Sequence, residues 1–113
     1  MATDPITRRL ASIQKKAAMR SVDVANVLNV RPETVSLWTS GKALPRASAE
    51  RQLLDLEFVV DKLSDIYSPQ DARLWLFSRQ RLLQGRTPAD LVQQGRVDEV
   101  LPAVNQLLYG VHP

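Results

Sequence analysis

Side chains able to do covalent or redox chemistry are almost absent from this sequence. It has no cysteine and one histidine, His112, next to the last of 113 residues. Disulfides, thiolate chemistry, Cys/His zinc sites and a Ser-His or Cys-His relay within one chain are therefore excluded. Acids stand at Asp61, Asp65 and Asp71, but no base, metal set or phosphate-cradling loop accompanies them. The chain is not expected to be an enzyme or to hold a cofactor. Its conspicuous polar cluster is Phe77-Ser78-Arg79-Gln80-Arg81, a doubly basic corner between the apolar anchors Trp75-Leu76 and Leu82-Leu83. A second basic set, Lys15, Lys16, Arg20, Arg31, Lys42 and Arg46, is of a kind that contacts phosphate.

Composition fits a folded, non-membrane domain. Apolar residues make up 44% and charged residues 24%, too apolar and too lightly charged for a disordered chain. No apolar signal region opens the chain and no run reaches 18 apolar residues, so a cytoplasmic protein is expected. The net charge of +3 is unevenly spread. Residues 1–51 hold nine Lys/Arg against four acids, and residues 52–113 hold six against eight. Only the first half could face phosphates as a whole.

The elements that must position these groups are helices. Four prolines follow a capping or boundary residue, at Asp4-Pro5, Arg31-Pro32, Ser68-Pro69 and Thr87-Pro88. Proline suits the first helical position because its missing N–H would lack a partner there anyway. The four glycines, Gly41, Gly85, Gly95 and Gly110, each follow an apolar-periodic run, where a left-handed residue closes a helix. No segment alternates with period two, so the fold is expected to be all-α. The pattern predicts helices over 5–19, 22–29, 32–40, 46–67, 69–77, 79–84, 88–94 and 97–109, with Pro102 bending the last or delaying its start. Segment 46–67 carries a line Leu53, Leu56, Val60, Leu63, Tyr67 and a flanking set Leu54, Phe58, Val59, Ile66. Two apolar faces imply packing on both sides, as a spine or part of a dimer seam. The expected divisions are 1–45, a connecting helix 46–67, and 68–113.

Residues 21–45 read as a helix-turn-helix. Val24, Ala25 and Leu28 form a buried face, Asn29 takes the left-handed turn position, and Val35 and Trp38 anchor the second helix. With Thr34-Val35-Ser36-x-Trp38 and the Gly41-x-x-x-Pro45 exit, this run resembles the Xre (lambda-repressor-like) helix-turn-helix. The resemblance implies a second helix in the DNA major groove, with Pro32, Glu33, Thr34, Ser36 and Leu37 outward. Operator contacts would then come from Arg31, Glu33, Thr34, Ser36 and Lys42. Bidentate base reading uses Arg, Lys, Asn or Gln, and this helix offers none before Lys42.

Trp75-Leu76, Arg81-Leu82-Leu83-x-Gly85-x-Thr87-Pro88-x-Asp90-Leu91, Gly95, the helix containing Val100, and Gly110 resemble the toxin-binding domain of the Xre/MbcA/ParS antitoxin family. Both motifs occur in the family's order and together span roughly 20–110. The resemblance implies a type II antitoxin whose partner is a RES-domain, NAD⁺-consuming toxin, with the C-terminal lobe covering the toxin's active site. Carried over, Ser78 and Arg81, with Arg79 as the alternative, project from the corner into the NAD⁺ pocket. Leu82 and Tyr109 complete the toxin-binding set. Five guanidinium donors and a serine hydroxyl suit a pocket built for pyrophosphate and ribose. The sequence departs from the family at Arg79-Gln80, where Pro-Asn in a tighter turn is common.

Trp75, Phe77, Leu82, Leu83, Leu91, Val100, Leu107 and Leu108 are expected in the core. A homodimer or a higher hetero-oligomer with the toxin is expected. The competing reading is a DNA-binding transcriptional regulator whose C-terminal lobe only dimerises. An exposed basic corner separates the two, because a dimerisation lobe has no use for one.

Overall fold

Proline and an N-terminal cap start the helices where the sequence places them. A computed structural model describes residues 4–110, and among these the fold is seven α-helices with one 3-10 turn. Helices α1 (Pro5–Lys16), α3 (Pro32–Thr39), α5 (Pro69–Phe77) and α6 (Pro88–Gln93) all open on proline. Asp4 Oδ1 accepts from the Ile6 N–H at 2.7 Å, Ser68 Oγ from Asp71 at 3.2 Å, and Thr87 Oγ1 from Asp90 at 3.0 Å. Each bond satisfies an amide that the helix itself leaves open. The remaining helices are α2 (Ser21–Leu28), α4 (Ala47–Leu63) and α7 (Val97–Tyr109). His112 lies outside the described residues.

Helix α4 is central. α1 packs on one side of it, α6 and α7 on another, while α2 packs on α3 and α6. Leu53, Leu56, Val59, Val60 and Leu63 of α4 are fully buried, and each such side chain stabilises the fold by roughly 1.5–3 kcal/mol. One continuous apolar core runs from Ile6 in α1 to Val104 in α7. The helix-turn-helix face is as expected. Val24, Ala25, Leu28, Val35 and Trp38 are buried, and Asn29 ends α2 at φ +57°.

Several boundaries differ from the sequence pattern. The first helix stops at Lys16 instead of residue 19, because Ala18 turns to φ +49° and lets buried Met19 cap back to the Gln14 carbonyl at 3.2 Å. α4 stops at Leu63, not 67. The Ser64 hydroxyl donates to the Asp61 carbonyl at 2.7 Å and a tight turn follows through Ile66. Of its flanking apolar set only Val59 turns inward, leaving Leu54, Phe58 and Ile66 exposed. Pro102 neither delays nor divides α7, since its ring is exposed and only one backbone bond is lost.

Segment 79–84 is not a helix. Ser78 and Gln80 are extended, Gln80 pairs in an antiparallel bridge with Arg86, and only Arg81–Leu83 coil into a 3-10 turn. Two successive left-handed residues, Gln84 at φ +55° and Gly85 at φ +79°, close that turn and prevent a longer helix. Phe77 and Leu82, expected in the core, are exposed, whereas Trp75, Leu83, Leu91 and Val100 are buried and Leu107 and Leu108 half-buried.

Candidate functional site

The corner between α5 and α6 is a short, hydrogen-bonded loop that points charged ends outward. The Gln80 N–H donates to the Arg86 carbonyl at 3.1 Å, and the Gly85 N–H donates to the Gln80 carbonyl at 3.0 Å. The Gln80 side chain donates back to the Trp75 carbonyl at 2.9 Å, tying the loop to the end of α5. Arg86 fastens the other limb. Its guanidinium donates to the Leu83 carbonyl at 2.9 Å and to Glu99 of α7 at 3.1 Å. Glu99 also pairs with Arg96. The Arg96 hydrogen bond, opposed by partial burial and joined by that of Arg86, holds the Glu99 carboxyl below its usual range.

On this frame Arg79, Arg81 and Leu82 are exposed, Leu82 by 58%. Among the described residues neither guanidinium enters a salt bridge. Ser78 is half-buried, and its hydroxyl donates to the Leu74 carbonyl at 2.5 Å, so it faces outside groups as an acceptor. Ser78 and Arg79 line one shallow groove with Tyr67, Leu74 and Trp75. Tyr109, 73% exposed, ends α7 at the far side from the Arg86–Glu99 pair, about 15 Å along the helix. The structure therefore gathers Ser78, Arg79, Arg81 and Leu82 in one loop and leaves Tyr109 away from the Glu99 end.

The second set of residues lies on and beside α3. Arg31 precedes its first turn, Glu33 and Ser36 are exposed, and Lys42 follows the helix with its N–H on the Leu37 carbonyl at 2.9 Å. Thr34 is half-buried in a groove with Leu44, Pro45 and Arg46. The outward face of α3 is thus Pro32, Glu33, Ser36 and exposed Leu37, with no amide or guanidinium directed outward from the helix itself. No group of three or more potential metal ligands occurs among the described residues. No described helix is long and apolar enough to cross a membrane.

Residue reasoning missed the group that fixes the corner against the helix-turn-helix. Asp23, only 6% exposed, accepts from the Arg20 N–H at 2.8 Å and pairs with both terminal nitrogens of Arg73 in α5. Burial pushes its carboxyl up, but the hydrogen bonds from Arg73 and from the Arg20 backbone and side chain outweigh that and bring it down to about 2. The Arg73 guanidinium also lies 5.5 Å from the Phe77 ring, one residue before Ser78. A second strap runs from Gln52 to the Gln93 carbonyl and from Gln93 to the Asn26 carbonyl, both at 2.8 Å. Asp23 was legible as a first-turn acid, whereas Arg73, 50 residues away, carried no local signal.

This fold is shared with a chain of the crystal structure of the M. tuberculosis MbcT–MbcA toxin–antitoxin complex. The TM-score is 0.86 over 98% of this chain and 100% of that one, at 27% identity. The architecture is therefore that of a toxin–antitoxin component. Mycobacterial cidal antitoxin MbcA of Mycobacterium tuberculosis and of Mycobacterium bovis is 34% identical over 89 residues, 79% of either chain. A probable mycobacterial cidal antitoxin of Mycobacterium tuberculosis is 33% identical over 99 residues, 87% of this chain and 84% of its own. The chain belongs to the mycobacterial cidal antitoxin (MbcA) family. No protein-family model matches it.

Proposed function

We propose that this antitoxin neutralises a RES-domain, NAD⁺-consuming toxin by seating the Ser78–Arg81 corner in its active site. The observation that carries the reading is a hydrogen-bonded loop presenting Arg79, Arg81 and Leu82 to solvent, with no salt bridge to either arginine among the described residues. A pocket for a dinucleotide must hold acceptors and donors for pyrophosphate and ribose, and such groups lie unpaired when the substrate is absent. Two guanidiniums supply charge-assisted donors, Ser78 supplies an acceptor, and Leu82 supplies an apolar anchor. The loop enters already ordered, so little conformational freedom is lost on binding. The mechanism is stoichiometric occlusion in the cytoplasm, without catalysis by this chain. Tyr109 is assigned to the same interface through a separate contact.

The test is co-expression with the product of the adjacent reading frame, followed by pull-down and an NAD⁺-consumption assay. Wild type is expected to bind and to block NAD⁺ loss. Arg81→Glu removes one charge-assisted bond and adds repulsion, a loss of roughly 1.5–3 kcal/mol or about 10- to 100-fold in affinity, with melting unchanged. Full neutralisation by Arg81→Glu removes the corner from the mechanism.

A second reading is favoured by the α2–α3 packing. The left-handed Asn29 and the buried Val35 and Trp38 set the two helices as a helix-turn-helix. On this reading Arg31 and Lys42 hold phosphates, with Glu33, Thr34 and Ser36 toward the groove. α3 offers no bidentate base reader, so one copy gains affinity from phosphates and little sequence discrimination.

A further inference from the structure

A cavity of about 580 Å³ lies away from the Ser78–Arg81 corner, between the helix-turn-helix and the first turn of α4. That is within the roughly 300–1,000 Å³ that small-molecule sites occupy. Its walls come from the turn after α2, from α3, and from the linker that leads into α4. Its floor is already fixed. The Gln52 side-chain amide donates to the Gln93 carbonyl at 2.8 Å, and both residues line the cavity. Val30, Trp38, Leu44 and Pro45 give it an apolar side, and Thr34 and Ser48 add neutral hydroxyls.

Charge and exposure in this wall point to an amphipathic anion. Among the described residues no acid lines the cavity, and its one charged group is Arg46, exposed and without a salt bridge. Leu44 is 68% exposed and stands beside half-buried Val30 and Pro45. Together they make an apolar patch that the chain itself leaves uncovered. Ala43 is the last linker residue whose N–H has a backbone partner, the Leu37 carbonyl at 3.3 Å. The linker beyond it can settle onto an occupant. A carboxylate on an apolar tail satisfies both features, its head on the Arg46 guanidinium and its tail on the Leu44 patch. A nucleic-acid phosphate reaching Arg46 would set that patch against a polar sugar–phosphate chain, which disfavours a duplex as the occupant.

We propose that this cavity binds a small carboxylate with an apolar body, its head on Arg46 and its tail along Val30, Leu44 and Pro45. An occupant there touches α3, the linker and α4 at once, and so braces the helix-turn-helix against the central helix. The inference does not rest on the toxin reading, because none of these residues belongs to the Ser78–Arg81 corner. Its test uses the full chain alone.

Octanoate is the probe, titrated into the isotope-labelled chain at constant ionic strength and followed by NMR. Saturable shifts are expected at the Trp38 indole N–H and the Ala43, Leu44 and Ser48 amides, with half-saturation at about 1 mM or below. The buried Trp75 indole of α5 does not line the cavity and is expected to stay still. Butyrate has four fewer methylenes and is expected to bind at least roughly tenfold more weakly. Arg46→Glu is expected to lose at least about tenfold in affinity with unchanged helicity, and Ser48→Trp to fill the cavity and abolish binding. Arg8→Glu, the same charge change on the exposed surface of α1, is expected to bind as wild type does. No saturation by about 30 mM, shifts spread over the whole surface, or either Arg46→Glu or Ser48→Trp binding as wild type overturns the proposal. So does butyrate binding as well as octanoate, which would reduce the site to a plain anion contact.

Discussion

Replacing Asp23 by asparagine keeps the shape of the buried side chain and removes its charge. The amide leaves Arg73 one acceptor and sets an NH₂ group against the other guanidinium nitrogen. Folding moves the Asp23 carboxyl from an ordinary 3.8 to about 2. At about 1.36 kcal/mol per pH unit, ionised Asp23 contributes about 2 kcal/mol. Losing one partner of a fully buried pair costs about 3–5 kcal/mol. Here Arg73 keeps a third of its side chain in water, so the lower figure applies. Urea titration at pH 7 should find Asp23→Asn about 2 kcal/mol less stable, or roughly 8 °C lower in melting. Because the folded carboxyl is the stronger acid, its contribution is complete above 3.8 and fades as pH falls through about 2. Wild type and variant should therefore converge to within about 0.5 kcal/mol by pH 2. Other carboxylates titrate equally in both proteins and cancel from the difference. Equal stability at pH 7, or a gap undiminished at pH 2, would refute the assignment of Asp23 as the charged anchor.

Two further outcomes are open to direct measurement. Trp38 is buried between α3 and its neighbours, and Trp38→Ala should cost roughly 3–5 kcal/mol in chemical denaturation; an unchanged midpoint would contradict the buried face of α3. If the chain binds operator DNA, contacts by Arg31, Lys42 and Arg46 should make affinity fall steeply with salt, with a log–log slope of about −0.9 per phosphate neutralised. A flat dependence would remove the phosphate contacts, and with them the second reading.

Local rules carried most of the fold. Proline with Asp4, Ser68 or Thr87 marks helix starts because the capping oxygen and the bonded amide lie within three residues. The inward faces of α2 and α3 follow from 3.6-residue spacing. What failed was decided by contacts distant in sequence or by backbone choices invisible in residue type. Leu82 looks like core by composition, but a 3-10 turn closed by Gln84 and Gly85 points it outward. Leu54, Phe58 and Ile66 extend the apolar pattern of α4 beyond the surface its neighbours cover. At the corner, residue type marked Phe77 to Arg81 as one basic cluster but the pattern read 79–84 as a helix, because Gln80 bridging to Arg86 required the folded backbone. The Asp23–Arg73 pair required the whole tertiary fold.

The core that runs unbroken from Ile6 to Val104 has a consequence for turnover. α1 and α7 pack on the same helix, and Arg73 joins α2 to α5. An opening large enough to expose α4 to a protease strips both ends of the molecule of their packing at once. Termini and loops can fray locally, but a central helix with a fully buried face, such as α4, is exposed only in the most global openings. Cleavage that begins in α4 would then remove the helix-turn-helix and the basic corner in one event. Under the proposed stoichiometric occlusion, the cellular dose of antitoxin would then fall in whole molecules, set by how often the entire fold opens.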